Sequence, residues 1–228
     1  MTFLNKVTAE PNGNALNWII YKLKNNHNIP NPIQSGYIIP SSIGSDSSYA
    51  NIDNTIVDWS KSCWVSVDTN PNPFYQVYFP KNWIHITGYS LRSCHIGLCY
   101  PKKWKVYGFN EDNKNDQSKW DELGENISTS SQPYCYTTSG NCNTNYAVGT
   151  FTTKKTNNVY QYIRFVLTKS SCSSISRFIL SGFDVFGTLS STRLFMFPRK
   201  TICTCLRRRK NISSDVIVLI IGMSVIQS

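Results

Sequence analysis

Apolar residues along this chain fall mostly at alternate positions within short runs that Asn, Pro, Gly and Ser separate. In Phe74–Phe79, for example, Tyr75, Val77 and Phe79 share one face and Gln76 lies on the other. β-Branched and aromatic residues at period two, bounded by turn-forming residues, predict β-strands. The predicted strands are Tyr37–Ile39, Trp64–Val67, Phe74–Phe79, Trp83–Leu91, Trp104–Phe109, Ala147–Phe151, Tyr160–Leu167 and Phe178–Gly187.

One helical pattern stands near the N-terminus. Apolar residues at positions 16, 19, 20 and 23 share a helical face, and Asn14 is suited to cap it, so we expect a helix over Asn14–Lys24. No such pattern separates the predicted strands. An antiparallel sandwich or jelly roll is therefore favoured over an α/β sheet.

Three long polar segments lie between the predicted strands: Ser41–Lys61, Asn110–Lys119 and Asn126–Tyr146. Long loops on a β-sandwich are either functional or tolerated insertions. The pattern of residues does not separate these alternatives.

The order of motifs then indicates a family. The relevant segments are Pro73–Pro80 with Ile84–Ser93 (ITGYSLRS within it), Pro101–Asn110 (PKKWKVYGFN) with Trp120–Leu123, Tyr160–Phe165 (YQYIRF) and Leu180–Leu189 (LSGFDVFGTL). Together they resemble the F5/8 type C (discoidin) domain, over residues 35–189. Many secreted members join the ends of the domain by a disulfide, but no Cys lies near Gln34 or Leu189, so the chain looks more like the intracellular protist-type members.

The resemblance implies an all-β fold, a galactose-binding-like jelly-roll β-sandwich of about eight strands. We expect residues 1–34 to form an N-terminal helical segment, residues 35–189 the discoidin-like domain, and residues 190–228 a basic and apolar tail. That tail is interpreted as disordered or as not native to the protein.

Members of this family bind ligands at one end of the sandwich, through loops that carry aromatic, apolar and basic side chains. The corresponding positions here are Tyr49, Trp59, Arg92, His95 and Tyr100. An aromatic ring can stack on a sugar, and an arginine suits a carboxylate or phosphate. In the alternative interpretation Trp59 caps the core and Arg92 merely ends a strand.

The net charge of +10 is unevenly distributed over the 228 residues. Seven of the 23 cationic residues and one of the 13 anionic residues lie in 190–228, so residues 1–189 carry only +4. The cluster Arg207, Arg208, Arg209 and Lys210 could bind an anionic membrane surface. Four cations without a folded motif offer nucleic acid only non-specific contacts, so no specific nucleic-acid partner is predicted.

Catalytic and metal-binding patterns are weak. The three histidines show no spacing typical of a hydrolase or metalloprotease, so we predict a protein that is not an enzyme. His85, between two isoleucines, is interpreted as an outward-facing or a hydrogen-bonded structural residue, and not as a ligand. Cys94, His95 and Cys99 lack a fourth zinc ligand. Asp46 and Asp53 form no recognisable calcium pattern, and no cofactor is predicted.

The eight cysteines do not decide between an oxidising and a reducing compartment. Disulfides Cys94–Cys99 and Cys135–Cys142 are conceivable, but free thiols are favoured because the N-terminus does not resemble a secretory signal. We therefore expect a cytoplasmic location. The hypotheses are a module that binds a glycan or protein through its loops, a peripheral membrane protein, and an intracellular scaffold subunit.

Overall fold

The computed structural model of the chain describes residues 6–9, 18–48, 51–57, 63–67, 72–92, 101–127, 148–170 and 177–191. The chain divides into two units, Met1–Phe197 and Pro198–Ser228, and every described residue belongs to the first. The tail predicted over 190–228 lies outside the described residues, apart from its first two positions.

Antiparallel strands dominate the described residues. Their bounds are β1 Lys6–Ala9, β2 Ile39–Ser42, β3 Trp64–Val65, β4 Phe74–Tyr78, β5 Trp83–Arg92, β6 Pro101–Phe109, β7 Asp121–Ile127, β8 Val148–Thr152, β9 Tyr162–Ser170, β10 Ile179–Leu180 and β11 Gly182–Ser190. One sheet has the order β1-β11-β5-β8 and the other β2-β4-β9-β6-β7, while β3 and β10 form a separate pair. The predicted fold class, an all-β jelly-roll sandwich, is confirmed.

Short helices complete the described structure. The α-helices are α1 (Ile19–Asn26) and α2 (Asn54–Val57), and 3-10 helices span Glu111–Asn113 and Gln117–Lys119. The polar segments predicted as loops therefore contain local structure: α2 lies within the first, and both 3-10 helices within the second.

The core lies between the two sheets and is rich in aromatic residues. Tyr89 of the four-stranded sheet packs edge-on against Phe165 of the five-stranded sheet, with ring centroids 4.8 Å apart. The Trp104 indole N–H donates a hydrogen bond of 2.8 Å to the Tyr89 hydroxyl. Burial raises the pKa of that hydroxyl, so it stays protonated. The two sheets are thus joined by apolar packing and by a satisfied polar contact.

The N-terminal residues share this core. Val7 and Ala9 of β1 are buried, and β1 pairs with β11. In α1 the buried residues are Ile19, Ile20 and Leu23, as the helical pattern predicted. The expected cap and starting position are wrong, because the helix begins at Ile19 and not at Asn14.

A buried carboxylate from β11 caps α1. The Asp184 side chain is fully buried and accepts hydrogen bonds from the backbone N–H groups of Trp18, Ile20 and Tyr21, at 3.1, 2.8 and 3.3 Å, and from Val185 at 2.7 Å. The first amides of a helix lack partners within it, and a carboxylate also matches the positive end of the helix dipole. The helix is thereby attached to the outer side of the four-stranded sheet.

A bulge in the β5–β11 pairing requires glycine. The register shifts between Phe186 and Gly187, and Gly187 has φ +133°. A Cβ at Gly187 would lie 2.1 Å from the carbonyl oxygen of His85. This glycine of the FGTL motif is therefore explained by backbone geometry.

Candidate functional site

One end of the sandwich is defined by Arg92, the last residue of β5, and is here called the Arg92 end. At this end β5, β7 and β9 finish, and β4, β6, β8 and β11 begin. The described residues on both sides of segments 93–100 and 128–147 lie at this end, as do Ser170, which ends β9, and Asn72, which shortly precedes β4. The bridge between Ile84 and Tyr160 joins the sheets at the other end.

Arg92 is the last residue of β5, in register with Gly182 of β11 and Val148 of β8. Its carbonyl oxygen accepts a hydrogen bond of 3.0 Å from the backbone N–H of Ser181. The residue is half-buried. The strand thus fixes the backbone of Arg92 at the place where the chain leaves the sheet.

The pair β3–β10 supports this end from one side. Trp64 is fully buried, and its indole N–H donates to the Ser45 hydroxyl at 2.7 Å. The Ser66 hydroxyl accepts a hydrogen bond of 2.9 Å from the backbone N–H of Phe178. These contacts hold the segment around Ser45 against the sandwich.

Arg177 is another cation near this end, and it was not among the residues predicted from the sequence. Its Nη1 lies 3.7 Å from Oδ2 of Asp46. A hydrogen bond from the backbone N–H of Ser48, with a smaller contribution from Arg177, holds the pKa of Asp46 below its usual value. Asp46, one of the two aspartates considered for calcium, therefore takes part in an ion pair. Because the partner of Arg177 is 131 positions away in the sequence, no local pattern predicts it.

The other predicted ligand residues, Tyr49, Trp59, His95 and Tyr100, lie outside the described residues. The structure therefore describes Arg92 alone of the five. His95 and Tyr100 belong to the segment between Arg92 and Pro101, which both lie at the Arg92 end, and Trp59 belongs to the segment between Val57 and Cys63. Asp53, the second aspartate considered for calcium, directly precedes α2.

Cys63, next to β3, is buried and disulfide-bonded. The expectation of free thiols is therefore wrong for this residue. The conceivable pairs Cys94–Cys99 and Cys135–Cys142 lie outside the described residues.

Two clefts lie away from Arg92, at the opposite end. One, of about 270 Å³, has a polar lining whose groups bind one another: Asp121 accepts hydrogen bonds of 2.8 Å from both Asn158 and the Tyr160 hydroxyl. The other, of about 420 Å³, includes His85, whose Nε2 lies 2.7 Å from the carbonyl oxygen of Thr156. His85 therefore has the hydrogen-bond partner that one of its two structural interpretations required.

Within the described ranges, no group of three or more His, Cys, Asp and Glu side chains is arranged to hold a metal ion. Nor does any helix in that part of the chain have the length and apolar character needed to cross a membrane. The basic cluster of residues 207–210 lies outside the described residues.

The chain matches no protein-family model and no curated protein sequence. Among solved structures it is similar to the family 32 carbohydrate-binding module of NanJ from C. perfringens, with 9% identity, 66% of this chain and 93% of that chain covered, and a TM-score of 0.44. For chitosan-binding module 2 from Paenibacillus sp. IK-5 the identity is 11%, the coverage 66% and 97%, and the TM-score 0.48. For the fucolectin of striped bass (Morone saxatilis) the identity is 12%, the alignment covers 66% of this chain and 47% of that chain, and the TM-score is 0.47. The ligand of this chain must therefore be inferred from its own residues.

Proposed function

We propose that this protein is a non-catalytic binding module that recognises a glycan through the Arg92 end of its sandwich. The observation that carries the proposal is the position of Arg92. It ends β5 at the end of the sandwich where the segment containing His95 and Tyr100 both leaves and re-enters the sheets. Cationic and aromatic residues that the sequence brings to one rigid end are suited to bind a hydroxylated ring.

The motifs that resemble the discoidin family add support. The ITGYSLR residues run along β5, the YIRF residues lie in β9, and the FDVFGTL residues lie in β11. All three strands run through the sandwich core. The intracellular protist-type assignment remains a prediction, as do the boundaries of the discoidin-like domain.

Binding of the full-length chain to an array of neutral and acidic glycans tests this function. We expect at least one glycan to be retained, and its signal to fall at least tenfold in Arg92→Ala, Trp59→Ala and Tyr100→Ala, or about 1.4 kcal/mol. Lys81→Ala, an exposed cation at the opposite end, is the control and should bind as the wild type does. An array without hits, or hits indifferent to all three substitutions, would contradict the proposal.

The disulfide of Cys63 bears on the compartment. Disulfides persist mainly in oxidising compartments, so Cys63 favours such a location over the cytoplasm that the sequence suggested. Intact mass of the protein purified from its native source, before and after thiol labelling, tests this. A protein that is labelled at all eight cysteines without reduction would instead support the cytoplasmic location.

A further inference from the structure

The outer face of the five-stranded sheet carries a row of aromatic rings, here called the aromatic row: Tyr78 of β4, Tyr162 of β9, Phe109 of β6, and Trp120. Successive ring centroids lie 4.2, 4.8 and 4.2 Å apart, and the ring planes are within 9° of parallel. The stacked rings form a rigid, largely apolar feature across three strands.

Arg164 of β9 is positioned next to the aromatic row. Its Cζ lies 4.2 Å from the ring centroid of Phe74 and 4.5 Å from that of Trp120. Its Nε donates a hydrogen bond of 2.8 Å to Oε1 of Gln76, whose Nε2 donates in turn to the Ser41 hydroxyl at 3.2 Å. Rings and amide together fix the guanidinium in one position.

This guanidinium has no counter-ion in the described part of the chain. There, no carboxylate lies within ion-pair distance of Arg164, and neither Nη atom has a hydrogen-bond partner. The Nη atoms are also not among the buried polar atoms without partners, so solvent reaches this edge. Burial lowers the pKa of Arg164 to about 10, which leaves it charged at neutral pH.

Two lysines on this face, unlike Arg164, form ion pairs with glutamates. Lys103 lies 2.9 Å from Glu125, and Lys105 lies 3.0 Å from Glu122. Arg164 is therefore a single positive charge without a carboxylate partner, and its direct neighbours are the rings of Phe74 and Trp120 and the Gln76 amide. This environment matches a ligand with one negative charge and several hydroxyl groups, and not a polyanion such as nucleic acid.

We propose that Arg164, with Gln76, Phe74 and Trp120, forms a second binding site, on the outer face of the five-stranded sheet, for the carboxylate of an acidic sugar. The open Nη edge donates two hydrogen bonds to the carboxylate, which accepts them as a bidentate pair. The partly exposed rings of Phe74 and Trp120 beside this edge pack against the apolar part of the sugar. This site lies in the middle of β9, away from Arg92, and it does not depend on the glycan proposed for the Arg92 end.

The wild-type protein provides the first test. The Nε–H of Arg164 is half-buried and hydrogen-bonded, so its NMR signal can be followed during titration with D-glucuronate, and the loss of that signal in Arg164→Lys assigns it. We expect a saturable shift with D-glucuronate, none with D-glucose, and at least tenfold weaker binding of acetate. No shift with glucuronate would overturn the proposal. Equal binding of acetate would also overturn it, because the sugar would then contribute nothing.

Gln76→Glu provides a second test, because this substitution keeps Arg164 in place and changes only the charge available to a ligand. The substitution places a carboxylate where the amide now contacts Nε, so the protein supplies its own counter-ion. We expect the variant to fold and to lose glucuronate binding at least tenfold. Lys103→Ala, which removes a paired cation from the same face, is the matched control and should bind normally. Wild-type affinity in Gln76→Glu would overturn the proposal.

Discussion

The buried carboxylate of Asp184 should make the stability of this protein depend on pH in an unusual direction. Burial raises the pKa of Asp184 to about 7, against the opposing effect of four backbone N–H donors. In the unfolded chain an aspartate titrates near pH 4. Because the folded state holds the proton more tightly, the contribution to stability is complete below about pH 4 and is lost as the pH rises through about 7.

The magnitude follows from the difference between the two pKa values. A difference of about three pKa units corresponds to about 4 kcal/mol, because each unit is about 1.4 kcal/mol. Asp184→Asn has nearly the same shape as the protonated acid but does not titrate. The unfolding free energy of the wild type minus that of the variant should therefore fall by about 4 kcal/mol between pH 4 and pH 8.

Urea unfolding followed by tryptophan fluorescence, at constant ionic strength, measures both proteins at each pH. Exposed carboxylates with lowered pKa, such as Glu122, change stability in the opposite direction, but they are common to both proteins and cancel in the difference. A difference that rises with pH would refute the reasoning. It would mean that the four N–H donors outweigh the cost of burying the charge.

Further substitutions test other parts of the structure. Gly187→Ala should cost about 3 kcal/mol or more, because its Cβ would collide with a backbone carbonyl at a positive φ, whereas Thr188→Ala should cost less than about 1 kcal/mol; urea midpoints compare them. Trp104→Phe removes one of the two N–H donors to the Tyr89 hydroxyl and should lower the unfolding free energy by about 1–3 kcal/mol, and an unchanged midpoint would contradict the role of that hydrogen bond. Cys63→Ser should free the thiol of its disulfide partner, so denatured and unreduced variant should carry one more labelled thiol than the wild type. One labelled thiol fewer than in the wild type would mean that Cys63 is a free thiol there.

The strands of this fold were predictable where the alternation of side chains is strong. Gln76 and Tyr78 lie on the outer face of β4 and Tyr75 and Val77 in the core, as period two required. The sequence did not reveal β7, because Leu123 is its one buried apolar side chain. Its glutamates are paired with lysines, so it reads as a polar loop until its partner β6 is known.

The candidate site was less predictable, since it depends on contacts between distant residues. The position of Arg92 at the end of a strand followed from the motif that contains it. The cap of α1 did not, because the carboxylate of Asp184 comes from a strand more than 160 positions away. The open edge of Arg164 was likewise invisible in the sequence, since only the structure shows that the nearby glutamates bind lysines instead.

The pairing of β1 with β11 also has a consequence for how the module can be attached. Lys6 and Ser190 face each other across these strands, and Ser190 lies opposite Trp83, where β5 begins. Paired residues in antiparallel strands have Cα atoms roughly 5 Å apart. A linker on either side would therefore leave from a single point, remote from Arg92. An anchor attached there would leave the Arg92 end on the side away from the support. A short loop that joined the two positions would permit a circular permutation.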